Sequence, residues 1–144
     1  MWNKSGKAKP QTLQQATTLL ESGKAEQALK LLAGAVHGTG FDTQFFELFG
    51  RVLLENHEKL HAGRFLFLSG MRKTEYQAAI DAYLRSNHDP NNFRQLHSSF
   101  PESARTIWKL EKFPDNVAEE LRKLGFPENI QDYFTGDMDQ APHQ

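Results

Sequence analysis

Cysteine is absent from the 144-residue chain, which removes disulfide frameworks, thiol nucleophiles and thiolate zinc sites together. An excess of one charge is missing too: 17 Lys and Arg face 18 Asp and Glu, a formal net charge of −1. Nucleic-acid binders carry a basic footprint that this balance does not supply, so nucleic acid is not an expected partner. No apolar run approaches the roughly 20 residues needed to cross a bilayer. Residues 1–10 are basic at Lys4, Lys7 and Lys9 but lack the apolar core of a signal peptide. A cytoplasmic protein with no membrane partner is the expectation.

Helical periodicity is what the sequence does have. Leu13, Ala16, Leu19 and Leu20 are spaced by threes and fours and gather on one side of a helix over 12–21, which Ser22-Gly23 ends. Ala28, Leu29, Leu31, Leu32 and Ala35 repeat the pattern over 26–35, and Gly34, Gly38 and Gly40 follow as breakers. Asp42 or Thr43 can cap a third helix buried through Phe45, Phe46, Phe49, Val52 and Leu53. At least one of Phe41, Phe45, Phe46 and Phe49 is expected to face solvent, since they occupy both sides of that helix start. A fourth helix runs from Leu60 to Leu68.

Thr74-Glu75-Tyr76-Gln77 has the form of a capping box opening a fifth helix, which His88-Asp89-Pro90 stops. Shorter helices are expected over 92–98, 101–110 and 115–124. No stretch alternates apolar and polar residues over a strand's length. The expected fold is all-α, with residues 11–134 as a single domain: two antiparallel hairpins over 11–70, then a longer helix and several short ones over 71–134. Residues 1–10, with Gly6 and Pro10 as breakers, read as a flexible arm, and 135–144 as a disordered tail.

Shifting the chain against itself by 34 residues lays Leu19-Leu20-Glu21 on Leu53-Leu54-Glu55, Ala16 on Gly50, Ala28 on Ala62 and Leu32 on Leu66. Small residues at such positions let two helices approach closely while Leu fills the space around the crossing. This pattern over about residues 12–70 resembles the tetratricopeptide-repeat family. It departs from that family at His57, which stands where the first repeat has Gly23, and at Gly40 and Thr74, which occupy the usual proline slots. The resemblance implies a concave groove lined by the first helix of each hairpin, and hence a binding role for Thr17, Glu21, Gln44, Glu47, Arg51 and Glu55. Arg64 and Arg72 add a basic edge. The segment 60–84 also resembles an uncharacterised family of small bacterial proteins.

His57-Glu58-Lys59-Leu60-His61 matches the His-Glu-x-x-His signature of zinc hydrolases, whose two imidazoles bind the metal from one helical face. The repeat places residues 56–58 in a turn, however, which makes the two histidines diverge and leaves zinc hydrolysis the lesser reading, with His57 and His61 its alternative metal ligands. Ser98 beside His97 is poorly placed for nucleophilic catalysis, because neighbours on a helix point about 100° apart. Asp137 and Asp139 lack the glycine and closing glutamate of a calcium loop. The expectation is therefore a protein without catalytic residues, cofactor or metal. It would bind another protein, most specifically as a small bacterial immunity protein neutralising a cognate toxin, or otherwise as a chaperone or scaffold adaptor, and would be a monomer or weak dimer.

Overall fold

The computed structural model describes residues 7–133. Among the described residues the chain is all-α: α1 (Pro10–Glu21), α2 (Ala25–Ala35), α3 (Thr43–Glu55), α4 (Lys59–Ser69), α5 (Thr74–Asn87), α6 (Phe93–Ser98), α7 (Glu102–Arg105) and α8 (Asp115–Lys123), with 3-10 turns at Val36–Gly38 and Leu110–Lys112. Two isolated backbone bridges, Asp89 with Asn92 and Lys109 with Asn129, are the extended pairings in this range. The tail expected over 135–144, with Asp137 and Asp139, lies outside the described residues.

The turns after α1 and α3 close with the same hydrogen bonds. Gly23 N donates to Leu20 O at 3.1 Å and Lys24 N to Leu19 O at 2.8 Å; His57 N donates to Leu54 O at 3.0 Å and Glu58 N to Leu53 O at 2.9 Å. Each is a Schellman closure, in which a residue in left-handed backbone lets two amides turn back onto the last carbonyls of the helix. Gly23 fills that position at φ 77° and His57 at φ 62°. Asn56 then ties one turn to the other, its Nδ2 donating to Ala25 O at 3.1 Å.

Helix α4 is the centre of the fold. Ala62, Gly63, Phe65, Leu66, Phe67, Leu68 and Ser69 are all buried, a near-continuous run that covers every side of the helix. A helix apolar all round must be enclosed by neighbours, and α4 packs on α3, α5 and α8. Two glycines set the approach distances. A Cβ on Gly50 would fall 2.4 Å from Leu66 Cγ, and one on Gly63 2.1 Å from Ala79 O. At Gly50 the neighbours are chiefly Leu66 and, at 3.4 Å from that Cβ, the Ala62 carbonyl, while Gly63 creates a second close crossing, against α5.

Several local expectations are corrected. Pro10 does not break the chain but opens α1, since its missing amide hydrogen would be unpaired there anyway. Gly34 lies inside α2 rather than in a loop after it. The Thr74 capping box does not form: Lys73 is the N-cap residue without a side-chain bond, and Gln77 Nε2 instead donates to Asp81 at 2.9 Å. The helix expected over 101–110 shortens to Glu102–Arg105, because Lys109 turns extended and the backbone pairs with 128–130, Leu110 N donating to Glu128 O at 3.0 Å and Ile130 N to Trp108 O at 2.6 Å. Asp42 does cap α3, accepting from Gln44 N at 3.0 Å and Phe45 N at 3.4 Å. Its other oxygen accepts from Ala8 N at 2.8 Å, and Ala8 is buried although it falls in the segment read as a loose arm.

The second half folds around an aromatic cluster. Phe100 stacks on Phe126 and meets Phe113 edge-on, while Phe113 meets Phe41 at 5.6 Å and so joins the cluster to the start of α3. Phe45, Phe46 and Phe49 are buried, and Phe41 is half-buried, so no phenylalanine of that group stands free in solvent. Helix α8 is held to the end of α4 by Asn116 Nδ2, which donates to Gly70 O at 2.7 Å.

Candidate functional site

The residues singled out from sequence fall in three places. Thr17 and Glu21 on α1 and Gln44, Glu47, Arg51 and Glu55 on α3 belong to adjacent helices. Within that set Thr17 Oγ1 donates to Leu13 O at 2.8 Å, and Glu47 accepts from Tyr76 Oη at 2.7 Å and pairs with Lys73 Nζ at 3.3 Å. Burial and the Glu47 carboxylate together hold the Tyr76 phenol well above its ordinary value. Glu21, Gln44 and Glu55 are exposed.

Arg72 is elsewhere, at the junction of α4 and α8. Its Nε donates to Glu120 Oε2 at 3.1 Å, Nη1 to Leu66 O and Met71 O, and Nη2 to Phe67 O. Those bonds engage all three guanidinium nitrogens.

Arg64 lines the third place, an open cleft of about 1150 Å³. Helix α2 contributes Leu29 and Ala33, α3 contributes Phe49 and Leu53, and α4 contributes Leu60, His61, Arg64 and Phe65; the wall opposite is Tyr83 with residues 98–107. Phe49 stacks on Phe65 at 4.5 Å, which fixes the apolar wall. Leu60 on the same helix is 51 % exposed, unusual for a large aliphatic side chain beside a cleft. Sequence periodicity did not reveal this cleft, since it is made by chain segments distant in sequence; the apolar Leu60 in an otherwise charged stretch, 57–61, was its one local signal.

Polar and charged groups share the lining, among them Glu58, His61, Arg64, Glu102 and Arg105, and Arg64 is the half-buried one of these. Arg64 Cζ lies 5.1 Å from the Phe65 ring centre, its Nη1 donates to Ser99 O at 3.3 Å and its Nη2 sits 3.5 Å from His61 Nδ1. Its Nε is buried with no hydrogen-bond partner. Burial lowers the Arg64 pKa; Tyr83 works against that shift and neighbouring Arg105 adds to it. Beside it, Ser99 donates its hydroxyl proton to Leu96 O at 2.6 Å and so receives the Tyr83 phenol proton at 2.5 Å. Burial pushes the Tyr83 phenol up to about 12.

The His-Glu-x-x-His sequence does not share a helix. His57 lies in the turn, Glu58 is the N-cap residue of α4, and His61 stands on the helix itself. Among the described residues no three His, Asp or Glu side chains cluster as a metal site. His97 and Ser98 also part company: His97 is buried against Phe100 and Trp108, whereas Ser98 is exposed and donates to Gln95 O at 2.9 Å. No helix among the described residues is long and apolar enough to cross a membrane. No protein-family model, curated protein or solved structure matches the chain.

Proposed function

We propose that the chain is a protein-binding module of tetratricopeptide-like hairpins and not an enzyme. The observation that carries this reading is the open cleft with Leu60 exposed at its side and the Phe49–Phe65 stack in its wall. Concave, mostly apolar surfaces with a few convergent polar groups are where binding free energy is concentrated. The repeat reading is supported by the two turns whose hydrogen bonds recur 34 residues apart and by the small residues at the helix crossings. The separation of His57 from His61 by a helix start favours binding over zinc hydrolysis.

The narrower form of the proposal is a bacterial cytosolic immunity protein whose partner is a toxin domain. Its support is the balanced charge of the sequence, together with a cleft free of clustered metal ligands among the described residues.

Quantitative pull-down from the native host tests the proposal, with wild type, Leu60→Asp and a surface control, Lys30→Glu, as baits. A partner captured by wild type and by the control but lost with Leu60→Asp supports binding through the cleft. Equal capture of every partner by Leu60→Asp defeats it. For the immunity reading, the captured partner must lose its own activity when the protein is added.

A further inference from the structure

We infer that the cleft takes an acidic peptide segment of its partner, seating one Asp or Glu carboxylate on Arg64 with an apolar flanking residue against Leu60. This inference rests on the binding-module reading and names the chemistry of the ligand.

The argument begins with charge. Among the described residues Arg64 has no carboxylate within ion-pair reach; the groups that act on it are Tyr83, which favours its charge, and the like charge of Arg105, which opposes it. Its terminal nitrogens make only long contacts, 3.3 Å to Ser99 O and 3.5 Å to His61 Nδ1, and its Nε has none. Arg72 shows what the same side chain looks like when satisfied: four hydrogen bonds, one of them to a carboxylate. A half-buried guanidinium left this way is a cation whose desolvation is not offset until an anion arrives.

Geometry narrows the anion. One planar guanidinium suits a planar carboxylate better than a phosphate, which collects several donors at once. The cleft lining also holds a second cation, Arg105, and two carboxylates, Glu58 and Glu102, while its accessible hydrocarbon is the exposed Leu60 with the half-buried Leu29 and Ile107. That hydrocarbon favours an apolar residue beside the acid, as a peptide provides and a free anion does not. The exposed Leu60 stands four residues before Arg64 on the same helix, so both face one ligand.

The test uses the full chain and a phage-displayed library of random dodecapeptides. Enriched peptides are synthesised with a fluorescent label and titrated by polarisation. The expected result is that they carry Asp or Glu beside an apolar residue, and that Asp→Asn or Glu→Gln in the peptide weakens binding about tenfold or more. Arg64→Gln should produce the same loss and leave no further loss for the amide peptide. Peptides that bind, lose affinity with Leu60→Asp and yet carry no acid overturn this inference while leaving the binding-module reading intact. Failure to enrich any peptide that depends on Leu60 overturns both. Two other occupants also count against it: a concentration-dependent dimer abolished by Leu60→Asp, or an Arg64 side-chain resonance that shifts when Asp137 and Asp139 of the chain itself are changed to Asn.

Discussion

Gly23 and His57 hold the same position in two turns with matching hydrogen bonds, both in left-handed backbone, at φ 77° and 62°. Glycine occupies that region freely, whereas a side chain there costs about 1 kcal/mol. His57 is exposed, so its ring has little packing to lose. His57→Gly is expected to stabilise the protein by about 1 kcal/mol, and Gly23→Ala to destabilise it by a similar amount. Urea midpoints at constant slope measure both.

Gly63 and Gly50 predict an ordered pair of defects. An added methyl at Gly63 meets backbone, Ala79 O, while at Gly50 it meets the Leu66 side chain. Backbone yields less readily than a side chain. Gly63→Ala is expected to cost about 3 kcal/mol or more and Gly50→Ala about 1–3 kcal/mol. Thermal or urea unfolding decides the order, and a milder Gly63 variant would contradict the close crossing of α4 with α5.

Arg72 is predicted to act on stability and not on binding. Arg72→Gln removes its bonds to the last carbonyls of α4 and to Glu120 on α8, with an expected loss of about 1–2 kcal/mol for a partly exposed group. Peptide or partner affinity, measured well below the melting temperature, should be unchanged. A stable Arg72→Gln protein that no longer binds would make Arg72 a contact residue instead.

His97 gives the fold a pH dependence. Burial lowers its pKa below the ordinary value of 6.5, so the folded protein resists a proton that the unfolded chain accepts. Stability from this residue is therefore complete above about pH 6.5 and falls as the pH drops through and below that value. Urea midpoints between neutral pH and pH 5 should show the decline, and His97→Asn should flatten it while lowering stability throughout.

Much of the first half was legible because its physics is local. Spacing of apolar and aromatic residues located α1 to α5, and Asp42 announced itself as a cap by its place before an apolar run. The bond from Ala8 to that same Asp42 was hidden, since it joins residues 34 apart by tertiary contact alone. The capping box at Thr74 failed because Gln77 found Asp81 on its own helix. Between 101 and 110, pairing with 128–130 overrode the local helical preference. Arg64 was visible as a basic residue, but its lack of a counter-ion depends on what four other segments place around it.

The enclosure of α4 has a consequence for how the molecule comes apart. In an extended array each repeat leans only on its neighbours, and the ends can peel away one at a time. Here a single helix is gripped by α3, α5 and α8, drawn from both halves of the sequence. Stripping away any one of them wets the same greasy rod, so the two halves should melt together as a single cooperative unit.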